Sequence, residues 1–238
     1  MICELVHAEK VYPMGDLTVT ALKGVTVGVE PGEFTVFAGP SGSGKSTALN
    51  LIGCLDRPSA GNVLLDGRNV ATLSDRELGM VRARRIGFIF QSFNLIPVLT
   101  AAENVDLALR LAGEASNRHE RVEKALVDVG LKDYMTRRPA QLSGGLQQRV
   151  AIARALVKKP AIIIADEPTA NLDSQNASAI LDLMREMNER DGATFLFSTH
   201  DPMVMERARR VVRLKDGAIV GDERRNGTRT PAGNGAGR

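Results

Sequence analysis

Residues 39–47 read Gly39-Pro40-Ser41-Gly42-Ser43-Gly44-Lys45-Ser46-Thr47, and their types and spacing suit chemistry on phosphates. Gly39, Gly42 and Gly44 permit backbone angles that a Cβ forbids, so successive N–H groups can turn toward an anion. The helical pattern that follows (Ala48, Leu49, Leu51, Ile52) adds a positive N-terminal end. Lys45 supplies a mobile point charge for the outer phosphates, and the Ser46 hydroxyl is a hard oxygen donor suited to Mg²⁺. A glycine-rich turn with a chance Lys-Ser after it would read alike in isolation. Here the full Gly-x-x-x-x-Gly-Lys-Ser spacing lies between an apolar β run (Phe34, Thr35, Val36, Phe37, Ala38) and a helix, the setting a phosphate cradle needs.

Further polar groups stand where apolar runs end. Ile162-Ile163-Ile164-Ala165 is followed by Asp166 and Glu167, a pattern expected of a parallel strand buried on both faces, whose C-terminal end is where ligands gather. Asp166 would hold Mg²⁺ through water, and Glu167 would face an attacking water. The run Ile86-Gly87-Phe88-Ile89-Phe90 ends at Gln91, an amide able to reach a metal-bound water or a γ phosphate, although most strand-end glutamines do neither. His200 follows the run Thr194-Phe195-Leu196-Phe197-Ser198 in the same manner. Ser143 precedes Gly144 and Gly145 as the N-cap of another helix, which reads either as a second phosphate-facing helix end or as an ordinary cap. Tyr12, near the N-terminal strands, is suited to stacking on an adenine and equally to half-burial in its strand.

The elements needed to position these groups follow in order. Residues 2–12 and 19–29 alternate as strands around the turn-forming Pro13-Met14-Gly15-Asp16, predicting a small antiparallel sheet ahead of the phosphate loop. A short strand at Val63, Leu64 and Leu65 lies between Pro58-Ser59-Ala60-Gly61 and Asp66-Gly67. Ser74-x-x-Glu77 and Thr100-x-x-Glu103 are capping boxes that open helices. Residues 100–159 are helical in pattern, so residues 92–157 are expected to form an inserted helical subdomain. A helix from about Ser174 to Arg190 and a β pair (Val211 to Lys215, Ala218 to Val220) complete the pattern.

The 238 residues are 43% hydrophobic and 25% charged, ordinary for a globular chain and inconsistent with a wholly disordered or collagen-like one. The net charge of +3 comes from residues 224–238, where Arg224, Arg225, Arg229 and Arg238 meet no acid. The preceding 223 residues hold 27 basic against 28 acidic side chains, so no specific nucleic-acid surface is expected, and the tail is predicted to be disordered. Cys3 and Cys54 show neither metal-ligand spacing nor a disulfide framework, which suits a reducing compartment. With no apolar run of about 18 residues and no leader-like N-terminus, the chain is expected neither to cross a membrane nor to be exported.

Taken together, these stretches resemble the ATP-binding subunits of ABC transporters. Residues 39–47 are similar to the Walker A motif, Gln91 to the Q-loop, residues 142–147 (Leu-Ser-Gly-Gly-Leu-Gln) to the signature, residues 162–167 to Walker B, Asn171-Leu172-Asp173 to the D-loop, and His200 to the switch histidine. Val11-Tyr12-Pro13-Met14-Gly15, Gly53-Cys54-Leu55-Asp56-Arg57-Pro58 and Phe90-Gln91-Ser92-Phe93-Asn94-Leu95 look like the subfamily of lipoprotein release and macrolide or peptide efflux, pieces of which importers share. The resemblance implies an α/β P-loop NTPase (RecA-like) core over residues 1–223, with the antiparallel and helical subdomains named above. It implies ATP and Mg²⁺, with Ser46, Gln91 and Asp166 near the metal. It also implies a head-to-tail homodimer, in which Ser143, Gly144, Gly145 and Asp173 meet the partner's nucleotide, and a separate transmembrane permease at the cytoplasmic face of the cell membrane. Import, and ABC-type work on DNA or ribosomes, are the alternatives; the first shares the cassette, and the second usually brings coiled coil or a second cassette. Leu146 departs from the Gln or Glu usual in the signature, and hydrolysis is expected to survive because Ser143 and the Gly145 amide are the groups that face phosphate.

Overall fold

Strands rich in β-branched and aromatic residues, buried on both faces, build the centre of the protein. In the computed structural model, which describes residues 1–15 and 17–225, two sheets form. One is antiparallel, in the order β2-β1-β4-β5, from β1 (Cys3–Met14), β2 (Leu17–Val29), β4 (Ala60–Leu65) and β5 (Arg68–Asn69). The other runs β10-β9-β3-β8-β7-β6, from β3 (Phe34–Ala38), β6 (Ile86–Phe90), β7 (Ile162–Asp166), β8 (Thr194–Thr199), β9 (Arg210–Lys215) and β10 (Ala218–Arg224). Its strands are parallel except β10, which pairs antiparallel with β9. The helices are α1 (Lys45–Ile52), α2 (Asp75–Arg85), α3 (Ala101–Leu111), α4 (Arg118–Asp128), α5 (Gly144–Leu156), α6 (Ser174–Asp191) and α7 (Pro202–Arg207).

The period-2 geometry of the parallel strands divides their side chains between two cores. Phe34, Val36, Ile163, Ala165, Phe195 and Phe197 point to the face covered by α5 and α6, with Val150, Ile152, Ile180 and Met184. Phe37, Ile162, Ile164 and Leu196 point to the other face, where α1 (Leu49, Leu51, Ile52) lies between the parallel sheet and the antiparallel one (Leu5, Val27, Val29). α3 and α4 pack on α5, and α5 packs on β6. Both expected capping boxes are present, at Ser74/Glu77 and Thr100/Glu103.

Several boundaries differ from the sequence expectation. The first hairpin turns later than its Pro13-Met14 signal, because β1 continues through both residues to a turn at Gly15 (φ 60°). Proline fits there because β4 pairs with β1 only as far as Glu9, which leaves Pro13 on an edge where its missing N–H costs nothing. β10 runs to Arg224 instead of ending at Val220. Arg224 and Arg225, expected in the tail, therefore belong to the fold: Arg224 reaches Glu33 at 3.0 Å, and the Arg225 amide donates to Arg209 O at 2.7 Å. The remainder of the expected disordered tail, 226–238, lies outside the described residues. α7 was not foreseen; its signal is Asp201-Pro202, an N-cap followed by proline in the first turn.

Arg210 joins the two sheets. It is 6% exposed, and its guanidinium donates to both Asp222 carboxylate oxygens (2.8 and 2.7 Å), to Glu33 (3.0 Å) and to Gly28 O of β2 (2.6 Å). In Arg210→Ala, Asp222 and the Gly28 carbonyl would lose this donor, while Glu33 would keep Thr35 Oγ1 (2.9 Å) and Arg224 (3.0 Å). That substitution is expected to lower the unfolding free energy by about 3 kcal/mol, read as a reduced urea midpoint with an unchanged slope.

Candidate functional site

The register of the parallel sheet sets the site. Phe90 pairs with Asp166, Asp166 with Ser198, and Ala38 with Thr199. The residues just beyond, Gln91, Glu167, His200 and Gly39, therefore emerge along one edge, where the strand C-termini open toward the start of α1. The loop 39–44 turns there through positive φ values at Gly39 (156°), Gly42 (76°) and Gly44 (100°). A Cβ on Gly44 would also meet Ala21 O at 2.5 Å.

α1 begins without a side-chain cap, whereas α2, α3, α5, α6 and α7 each have one. Its first-turn amides, at Lys45, Ser46 and Thr47, are left with the positive end of the helix dipole and no carbonyl within the helix to bond. Lys45 Nζ donates to Gly39 O and Pro40 O, both at 2.8 Å, so its charge is held over the loop. Ser41, Gly42 and Ser46 are exposed. The Ser43 hydroxyl is different: it is buried without a hydrogen-bond partner, and its amide donates to Pro40 O at 3.2 Å. Ser43 thus shapes the loop from beneath, and its side chain does not face outward.

Asp166 Oδ1 accepts from Ser46 Oγ (3.1 Å) and from Ser198 Oγ (2.7 Å). Glu167 stands in the left-handed region (φ 45°); its Oε2 accepts from Thr199 Oγ1 (2.9 Å) and its Oε1 lies 2.7 Å from His200 Nδ1. The His200 side chain is 73% exposed and that of Glu167 is 18% exposed. The carboxylate is thereby held close to the cleft by an imidazole that itself looks into solvent. Ser198 and Thr199, which hold the two acids, had no assigned role in the sequence reading. Their signal was the change from Phe197 to two hydroxyls at the end of an apolar strand.

Gln91 is exposed, and its carbonyl accepts from the Asn171 amide group at 3.0 Å. Tyr12 sits beside Thr47, its hydroxyl donating to Asp56 Oδ2 (2.8 Å) and its ring 4.8 Å from Lys10 Nζ. Burial and the Asp56 carboxylate push the phenol above its ordinary value. Asp56 is itself held low, because bonds from Lys10, Tyr12 and the Arg57 amide outweigh its burial. Sequence reasoning missed Lys10 and Asp56 as supports of Tyr12.

The signature residues do not join this cluster. Ser143 caps α5, accepting from the Leu146 amide at 3.4 Å. A Cβ on Gly144 would touch Leu172, Asn171 and Phe93, and one on Gly145 would press on Asn176. Asp173 caps α6 through the Asn176 amide (2.9 Å), a bond that lowers its pKa. α1 contacts β1, β2, β4, β7 and β8, whereas α5 contacts β6, α3, α4 and α6. Leu146 rests on the helical core, and its backbone amide makes the cap bond, so the unusual side chain leaves the capped helix end intact.

The donors fit Mg²⁺ held jointly with phosphates. A hydroxyl and one carboxylate 3.1 Å apart suit an ion that retains several waters, and the described residues contain no cluster of three or more His, Cys, Asp or Glu able to hold a metal alone. Among the described residues no helix is long and apolar enough to cross a membrane.

Comparison with known proteins gives a consistent result. A family model described as "ABC transporter" matches residues 22–170. The lipoprotein-releasing system ATP-binding protein LolD of Anaeromyxobacter dehalogenans is 49% identical over 228 residues, covering 94% of this chain and 95% of that protein. The macrolide export ATP-binding/permease protein MacB of Syntrophobacter fumaroxidans is 45% identical over 221 residues, covering 92% of this chain; the chain spans only 31% of that protein's length. The solved structure of the dimeric ATP-binding cassette MJ0796 from Methanocaldococcus jannaschii, in a post-hydrolysis state with ADP and Pi, superposes with a TM-score of 0.87 at 45% identity, covering 95% of this chain and all of that one.

The Tyr12 geometry can be checked directly. In a Tyr134→Phe background Tyr12 is the sole tyrosine. Its phenol is expected to ionise above 10 in a spectrophotometric titration and to move down when Asp56→Ala removes the carboxylate. A phenol insensitive to Asp56 would mean that the bond is not made.

Proposed function

The chain belongs to the ABC transporter family as an ATP-binding subunit, and from that premise we propose that two copies hydrolyse ATP between them and so drive a separate membrane-embedded partner. The carrying observation is the division of the phosphate-facing groups. The loop, Asp166, Glu167 and His200 share one strand edge, while Ser143, Gly144 and Gly145 start a helix that packs elsewhere. A head-to-tail second copy would supply the missing helix end, and the dimeric state of the cassette to which the chain is similar supports a pairing of two copies.

In this reading the amides of residues 41, 42 and 44–47 and Lys45 balance phosphate charge, and Tyr12 carries the adenine. Mg²⁺ would add charge neutralisation between phosphate groups, held by the Ser46 hydroxyl, by Asp166 through water and by the Gln91 amide. Glu167 accepts the proton of the attacking water at its carboxylate. Thr199 and His200 keep that carboxylate from swinging away, and His200 turns toward the γ phosphate. Asp173 and the helix end at Ser143 close the site from the other copy. The chemistry asks little beyond position and charge, which is what these groups provide.

The partner's contact falls beside Gln91. A groove of about 500 Å³ between α2, β6, α3 and α5 is walled by Met80, Phe88, Phe90, Leu107 and Leu111. It suits a short apolar helix from a permease, which would hold the chain at the cytoplasmic face of the membrane. The relatives named for lipoprotein release and macrolide export favour outward transport or extraction over import.

In Glu167→Gln, ATP affinity is expected to persist while kcat falls at least about 100-fold and an ATP-bound dimer accumulates in size-exclusion chromatography. Undiminished turnover would overturn the assignment of the base. Lys45→Ala is expected to lose nucleotide affinity itself, measured by titration with a fluorescent ATP analogue. Failure of the wild-type chain to bind Mg-ATP with its permease present would overturn the function.

A further inference from the structure

Gln148 is fully buried in α5, one turn beyond Gly145, and half of its amide is unused. Nε2 donates to Pro168 O at 2.5 Å, while Oε1 is buried with no donor. Burying an unsatisfied acceptor opposes stability, and an apolar side chain of equal length would fill the same space without that cost. What only a glutamine supplies here is a donor to the carbonyl immediately after Glu167.

That carbonyl belongs to a segment that needs holding. Glu167 has a φ of 45°, uncommon for a residue with a Cβ, and it precedes a proline, which restricts it further. The Glu167 amide donates to Ser198 O (2.9 Å) and its carbonyl accepts from the Ala170 amide (3.2 Å). The third tie, from Gln148, is the one that comes from α5, whose first residues are Ser143-Gly144-Gly145. Lower on the same helix, Arg154 donates to Phe93 O (2.8 Å) and Asn94 O (2.5 Å), so α5 also grips the segment after Gln91.

We propose that Gln148 is a positioning residue that locks the left-handed peptide of Glu167 to α5, so that the base is aligned by the same helix whose N-terminus closes the other copy's nucleotide site. This rests on the hydrolytic reading above and adds to it a link within one chain. The two sites of a dimer are thereby coupled: when one copy's α5 seats on the partner's nucleotide, its own Glu167 is held in place.

Gln148→Met removes the donor and the orphaned acceptor while keeping the length. The buried Pro168 carbonyl loses its donor as the burial cost of Oε1 disappears, so the two stability effects offset; expected are a melting temperature within about 4 °C of the wild type, an ATP Kd within about twofold, and a kcat lowered about tenfold. Gln148→Glu can donate only when protonated, and burial raises its pKa, so its kcat relative to wild type at the same pH is expected to rise between about pH 8 and pH 6. Retained kcat in the Met variant, or a lowered kcat accompanied by a melting temperature down by more than about 10 °C, would overturn the proposal. So would a pH-independent ratio for the Glu variant, or failure of both variants to fold. An inactive wild type would instead sink the hydrolytic reading.

Discussion

The parallel register of β3, β8, β7 and β6 is the constraint on which the site depends. β3, β7 and β8 are buried on both faces, so a polar group that must meet a ligand can stand only where the strand leaves the sheet. Pairing Ala38 with Thr199, Ser198 with Asp166 and Asp166 with Phe90 makes all four chains leave at the same edge. A one-residue slip in any pair would exchange the two cores and move an acid away from the phosphate loop. Both faces of β7 are apolar, Ile162 and Ile164 toward one core and Ile163 and Ala165 toward the other, so the slip is opposed by the fit of each side chain in its own core and by the burial of Asp166 that it would bring.

Around this edge the polar groups hold one another. Ser46 and Ser198 share one oxygen of Asp166, and Thr199 and His200 take both oxygens of Glu167. None of these side chains is long, so their positions follow the backbone closely. The contrast is the groove beside β6, where long apolar side chains from several elements leave a broad depression in place of a set of fixed points. Rigid geometry accompanies the proposed chemistry, and adaptable surface accompanies the proposed docking.

α5 links the two regions. Its N-terminus is capped by Ser143, its middle reaches the peptide after Glu167, and its last turn grips residues 93 and 94. A displacement at one end of a helix so tied is felt at the other contacts, because the intervening backbone bonds do not stretch. That continuity gives a physical route between the nucleotide and the groove.

Much of this was legible in the amino-acid sequence because its signals are local. Glycines at fixed offsets, apolar runs of strand length, capping boxes and polar residues at run ends report backbone angles and burial that neighbours in sequence decide. The glycine-rich loop ahead of α1, the placement of Asp166, Glu167, Gln91 and His200 at strand ends and both capping boxes were therefore legible, as were nearly all the strands. Tertiary structure alone decided the rest. The supports of Tyr12 lie at Lys10 and Asp56, 44 residues apart for the Tyr12–Asp56 bond. The bridge of Arg210 to Gly28 spans 182 residues, and the contact of Gln148 with Pro168 depends on how a helix lies against a strand end. The inward turn of Ser43 and the extension of β10 to Arg224 likewise follow from what packs alongside. Such contacts have no period or spacing, because they are set by the meeting of distant segments and leave no mark in the order of residues.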